Sequence, residues 1–163
     1  MSKTVRTLYL MSGIPASGKS TYARKLAASN GAVYISRDEI RFAVLKDNED
    51  YFSHEDEVYD LFIMNIQEAL DGGNNCIADA THLSMSARTK ILNRLNLAGV
   101  KIVLIIMDTP LAVCLERNAK RAGRARVPDS AIKKMWLNFK SPNAEEAKRY
   151  IQIKKVKEAE YNE

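Results

Sequence analysis

The sequence predicts an α/β fold, a five-stranded parallel sheet flanked by helices. Three observations predict it. Short apolar runs alternate with helical patterns along the whole chain. The run KIVLIIM, Lys101 to Met107, is apolar without alternation, as a parallel strand covered on both faces must be. The first strand leads through a glycine-rich turn directly into a helix. Along the chain, TVRTLYLM (Thr4 to Met11) is a strand rich in β-branched and aromatic residues. KSTYARKLAASN (Lys19 to Asn30) is a helix stopped by Asn30-Gly31. AVYIS (Ala32 to Ser36) is a second, short strand. Ser53 to Leu70 is an amphipathic helix, with Ser53 and Asp56 expected to form a capping box and Gly72-Gly73 to end it. NCIAD (Asn75 to Asp79) is the third strand, and Ser84 to Ala98 is helical. After KIVLIIM, Thr109 and Pro110 are expected as N-cap and first residue of a helix reaching about Arg121. A further helix runs from about Asp129 to Lys140, and YIQIKKV (Tyr150 to Val156) supplies the last strand.

Bulk properties narrow the class. At 163 residues the chain is expected to be a single domain, 1–163, able to bury a core without disulfide or metal staples. Hydrophobic residues at 46% and charged residues at 28% describe an ordinary soluble protein. Cys76 and Cys114 sit in separate apolar contexts and are expected as reduced, buried thiols; no Cys/His cluster has zinc spacing. No apolar run suits a membrane span or signal peptide, so no membrane partner is expected and the cytoplasm is the expected compartment. Net charge is +5, from 25 Lys and Arg against 20 Asp and Glu, a balance compatible with a polyanionic partner.

The stretch Gly13-Ile14-Pro15-Ala16-Ser17-Gly18-Lys19-Ser20, with Thr21 behind it, fits G-x-x-x-x-G-K-[ST] in its required place between strand and helix. Its glycines let the backbone curl so that successive N–H groups face phosphate oxygens, and the helix adds its positive end. Lys19 is expected at the β- and γ-phosphates and Ser20 at Mg²⁺, so ATP and Mg²⁺ are the expected cofactors. The chain has neither the N-K-x-D nor the D-x-x-G of a GTPase switch, and a small kinase suits its length.

The acceptor side is read from the ends of the next strands, where ligands of such sheets bind. In SRDEIRF, Asp38 is placed to accept a hydroxyl proton or to help position Mg²⁺, and Arg41 to clamp an anion one turn on. A solvated helix start, with Asp38 and Glu39 favouring the macrodipole, accounts for the same residues equally well. Asp79 closes the third strand and is favoured over Asp108 for supporting Mg²⁺ and substrate. His82 is a weaker candidate for a substrate contact. RNAKRAGRARVP, Arg117 to Pro128, is either a basic helix end or an arginine-rich lid closing over a triphosphate, with Arg117 and Arg121 sharing a helix face. Tyr51, Phe52 and Tyr59 fit either base stacking or packing of the long helix.

GIPASGKST, SRDEIR, IADATHL and RNAKRAGRARVP, in this order and spacing, resemble the kinase domain of phage-type 5′-polynucleotide kinases, from about Thr4 to Pro142. The resemblance implies a P-loop kinase fold and transfer of the ATP γ-phosphate to a 5′-hydroxyl end of DNA or RNA. It implies Asp38 as general base, Arg41 on the 3′-phosphate of the terminal nucleotide, and Asp79 as the acid after the third strand. It implies Arg121 as lid arginine, with Arg117 one turn before, and an adenine site near Pro142 to Glu146. No D-x-D-G-T of the phage enzyme's phosphatase domain occurs in this sequence, so healing of a 3′ end is not expected of it. A kinase of a small hydroxylated substrate shares the loop, the Asp and the lid, and a regulatory ATP-binding protein would share the loop alone.

Overall fold

The computed structural model describes residues 5–157. The strands are β1 (Arg6–Ser12), β2 (Val33–Ser36), β3 (Cys76–Asp79), β4 (Val100–Asp108) and β5 (Gln152–Lys157). They form one sheet in the order β2-β3-β1-β4-β5, with every neighbouring pair parallel. The expected start of the first strand at Thr4 lies outside the described residues. The helices are α1 (Lys19–Asn30), α2 (Arg37–Val44), α3 (Glu55–Asp71), α4 (Met85–Arg94), α5 (Leu111–Ala119), α6 (Asp129–Asn138) and α7 (Ala144–Ala147).

β4 has six consecutive buried residues because both of its faces are covered. On one face Leu8, Leu10, Leu104 and Ile106 pack with Phe62 and Ile66 of α3 and Ile91 of α4. On the other, Met11, Ile77, Ile105 and Met107 pack with Ala23 and Leu26 of α1. Each fully buried Leu, Ile, Met or Phe among them stabilises the fold by about 1.5–3 kcal/mol. A third cluster joins Ile14 and Ala16 to Cys114 of α5 and Ile132 of α6, which bolts the turn after β1 to the last third of the chain. Both cysteines are buried free thiols.

Two local expectations fail for tertiary reasons. Residues 51–54 form a turn, α3 starts at Glu55, and its N-cap His54 makes no side-chain cap bond, so the Ser53–Asp56 capping box does not form. Tyr51 and Glu55 instead face α2. Thr109 does not cap α5: the N-cap is Pro110, and the Thr109 hydroxyl donates to the Ser17 carbonyl at 2.7 Å. That bond fixes the back of the glycine-rich turn to the end of β4.

His82 follows β3 with φ +41° and is buried. Its Nδ1 donates to the Met11 carbonyl at 2.6 Å, its own carbonyl accepts the Ser12 hydroxyl, and its Nε2 is buried with no partner. Burial above all pushes its pKa down from 6.5 to about 4, so the ring folds neutral. The unfolded chain therefore binds a proton that the folded one refuses. His82 stability is complete above the unfolded value and is expected to drain away between about pH 6.5 and pH 4. Urea midpoints across that window check it, with His82→Asn flattening the slope.

Candidate active site

A cleft of about 560 Å³ opens at the carboxyl ends of β1, β2 and β3. Its floor is the turn between β1 and α1. Gly18 caps α1 in the left-handed region at φ +95°, and Ala16 shares that region at φ +64°, which curls the turn. The cap uses no side chain and the first turn of α1 holds no acid, so the positive helix end is left for an external anion. Gly13 is required by contact: a Cβ there would lie 2.8 Å from Ser17 Oγ and 3.0 Å from Met107 Cβ. Gly13→Ala is expected to cost about 1–3 kcal/mol of stability and to distort the loop. A fall in melting temperature together with weakened ATP binding checks this.

Pro15, Ala16, Gly18, Lys19, Ser20 and Thr21 line the cleft; Gly13, Ile14 and Ser17 are buried behind them. The Lys19 ammonium donates to the Ile14 carbonyl at 3.0 Å. Loss of water around it lowers its pKa below the ordinary lysine value, and Arg121 lowers it further while Asp79 and Asp38 oppose. Ser20 Oγ donates to Asp79 Oδ2 at 2.9 Å, and the Tyr34 hydroxyl donates to the same oxygen. Burial first, and then the Asp79 charge, raise Tyr34 to about 12, so it stays a donor. Asp79 is 4% exposed at the end of β3, whereas Asp108 is exposed and outside the cleft. Ser20 and Asp79 are hard oxygen donors side by side at the phosphate loop. That donor set fits Mg²⁺, which takes one or two protein oxygens and keeps waters and phosphate oxygens. No cluster of three or more His, Cys, Asp or Glu able to hold a metal occurs among the described residues.

The opposite wall comes from α2 and the turn before α3. Ser36 caps α2 by accepting from the Glu39 N–H, which sets Asp38 in the first turn with its side chain 61% exposed. Asp38 Oδ1 accepts from Arg41 Nη1 and, at 2.8 Å, from the Tyr51 hydroxyl. Arg41 is only 5% exposed. Its Nε and Nη2 reach Glu55 at 2.8 and 3.1 Å, and its Nη1 also bonds Tyr51. Burial first, and then Asp38, hold the Tyr51 hydroxyl far above its ordinary value. The solvated helix start considered for this segment suits Glu39, which pairs with Arg24 at the surface, but not Arg41. Tyr51 and the two-thirds-exposed Phe52 line the cleft, whereas Tyr59 packs against the core.

The arginine-rich segment divides. α5 ends at Ala119, so Arg117 and Arg121 do not share a helix face. Arg117 lies outside the cleft lining, its Nη1 3.5 Å from the Ala16 carbonyl at the back of the loop. Arg121, Arg124 and Arg126 line the cleft, and Arg124 crosses to the Lys46 carbonyl. Residues 142–146 lie outside the lining; Glu146 there is buried against Arg88. His82 does not line it either. Sequence reading missed Arg37, Glu55 and Tyr34. Closeness in sequence to Asp38 hinted at Arg37 and Tyr34, whereas Glu55 lies 17 residues on.

Comparison with known proteins gives the same picture. The AAA_33 family (AAA domain) matches residues 8–142. A protein of Autographa californica nuclear polyhedrosis virus, assigned as a bifunctional polynucleotide kinase/RNA ligase, is 26% identical over 152 residues. That match covers 85% of this chain but only 21% of the relative, so the chain spans about a fifth of its length. A chain of the Pnkp1/Rnl/Hen1 RNA repair complex superposes with TM-score 0.73 at 25% identity, covering 84% of this chain and 45% of that one. A gluconokinase from Sinorhizobium meliloti 1021 has the same fold, with TM-score 0.61 at 20% identity over 96% of this chain and 84% of that one. No helix among the described residues is long and apolar enough to cross a membrane. The chain belongs to the AAA_33 family, and its parallel sheet and phosphate loop are those of a P-loop kinase.

Proposed function

We propose that this protein is an ATP-dependent 5′-hydroxyl polynucleotide kinase, moving the γ-phosphate of ATP to a DNA or RNA 5′-hydroxyl. One observation carries the reading: a single cleft holds the phosphate loop, an accessible Asp38 and a buried Arg41. The likeness to the viral polynucleotide kinase/RNA ligase supports it.

In this reading Lys19, the loop N–H groups and the α1 terminus bind the β- and γ-phosphates. Ser20 and Asp79 would hold Mg²⁺, which would supply charge neutralisation at the phosphate oxygens. Asp38 takes the proton of the 5′-hydroxyl as its oxygen bonds to the γ-phosphorus. The bond from that phosphorus to the bridging oxygen breaks, and ADP leaves with the electron pair. Lys19 and Arg121 stabilise the charge that gathers there, and closure of the segment carrying Arg121 excludes water. Arg41 answers the 3′-phosphate of the terminal nucleotide by exchanging its Nη1 contact with Asp38 for a phosphate oxygen.

A second reading, a kinase of a small neutral polyol, draws on the same geometry. Glu55 and Asp38 already answer the charge of Arg41, as an uncharged acceptor would allow. Competition separates the two: with γ-labelled ATP, Mg²⁺ and equal amounts of a 5′-hydroxyl oligonucleotide and a neutral sugar, label is expected on the oligonucleotide. Label on the neutral sugar alone would establish the second reading.

A further inference from the structure

The cleft has a cationic exit. On α2, Arg37 stands one turn before Arg41, and the Glu55 carboxylate joins them, Oε2 accepting from Arg37 Nη2 and from Arg41 Nη2, both at 3.1 Å. Arg37 also lines the cleft. Its guanidinium lies 5.1 Å from the centre of the Tyr59 ring, one turn along α3 from Glu55. Two more cations gather on that ring from α4: Lys90 at 4.5 Å and Arg94 at 5.5 Å. Lys90 and Arg94 are themselves one turn apart.

The arginines are graded in exposure: Arg41 is 6% exposed at its side chain, Arg37 27% and Arg94 46%, and Lys90 is exposed beside Arg94. Glu55 is shared between the two inner arginines, and Asp60 pairs with Arg94 at 3.2 Å. The Tyr59 ring holds the charged heads themselves, Arg37 Cζ, Lys90 Nζ and Arg94 Cζ, near one another. No two heads on that ring lie more than about 11 Å apart. Phosphates repeat on a shorter scale, about 3.4 Å of axis per strand in a duplex, so successive ones can meet successive cations.

We propose that Arg37, Lys90 and Arg94 form a phosphate track that carries the acceptor strand out of the cleft over α3 and α4. It binds the phosphodiesters 3′ to the terminal nucleotide by charge, not by base identity. The inference rests on the polynucleotide kinase reading. It adds that the protein distinguishes a strand from a single nucleotide outside the catalytic cleft.

The test compares wild type with Lys90→Gln/Arg94→Gln. The acceptors are a 5′-hydroxyl oligonucleotide and a 3′-nucleoside monophosphate, which is too short to reach α4. The oligonucleotide KM is expected to rise roughly tenfold in the variant. Its dependence on salt is expected to flatten by about 1.4 in log–log slope, since each single-strand phosphate contact contributes about 0.7. The 3′-nucleotide keeps its KM and kcat. Both side chains are exposed, so the fold tolerates glutamine; a charge reversal, Lys90→Glu/Arg94→Glu, enlarges the same effect. An oligonucleotide KM and salt slope that do not move overturn the track while leaving the polynucleotide kinase reading intact. Wild-type protein that labels neither acceptor overturns both.

Discussion

Asp38→Asn is expected to lower kcat by about 10²- to 10⁴-fold, the usual contribution of a positioned general base, with ATP affinity unchanged. The substitution is close to isosteric. The amide oxygen still accepts from Arg41 and Tyr51, which both end on Asp38 Oδ1, so the wall of the cleft should stay in place. What disappears is the proton acceptor. The expected signature is a normal melting temperature, normal ATP binding and lost transfer to every acceptor. A variant that transfers phosphate at full rate removes Asp38 from the chemistry and leaves it as a partner of Arg41. A variant that also loses ATP binding shows that the effect came through the loop.

Arg88→Met is expected to produce the largest loss of stability, about 3–5 kcal/mol, the range found when one partner of a buried ion pair is removed. Arg88 is fully buried, and its Nε and Nη2 reach the Glu146 carboxylate at 2.7 and 3.0 Å. Its remaining donors satisfy the His82 carbonyl at 3.0 Å and the Lys140 carbonyl at 2.8 Å. One side chain thus holds together the segment after β3, the end of α6 and the short helix α7. Burial alone pushes the Glu146 carboxyl up, but Arg88 and the Tyr150 hydroxyl outweigh it and hold the group below its ordinary 4.5. A depressed carboxyl stabilises the fold above its unfolded pKa, and that contribution is lost as pH falls through the folded one. The gap between wild type and variant should therefore narrow below about pH 4.5. Chemical unfolding at neutral and acid pH checks both statements, and Arg88→Met/Glu146→Gln should recover part of the loss. A single variant costing under about 1 kcal/mol would contradict this account of the network.

These two residues mark the limits of legibility. Asp38 was legible because it is local: a short strand ends at Ser36, a helix begins, and strand ends of this kind of sheet face ligands. The sheet was legible for a similar reason, since the unbroken apolar run of β4 has few other uses. Arg88 was not, because it sits in a helix that reads as polar and its partner Glu146 is 58 residues away. Helical spacing cannot reveal a pair of that separation. Glu55 was hidden in the acidic run HEDE, which reads as a favourable helix start; only the packing of α3 on α2 turns it toward Arg41. The same packing defeats the Ser53 cap. Thr109-Pro110 has the composition of a helix start, yet the Ser17 carbonyl competes successfully for the threonine hydroxyl. Asp79 and Asp108 both close strands; Asp79 was preferred because Asp108 stands before Thr109-Pro110 as a helix cap would, and of the two only Asp79 lines the cleft. The arginine pair was misplaced because α5 ends at Ala119, two residues before Arg121.

The most direct measurement is transfer from γ-labelled ATP with Mg²⁺ to a 5′-hydroxyl oligonucleotide, a 3′-nucleoside monophosphate and a plain nucleoside, side by side. The account predicts label on the first two and little on the nucleoside, which offers Arg41 no phosphate. Label on none of them, with ATP still bound, would contradict it and send the search to small hydroxylated acceptors.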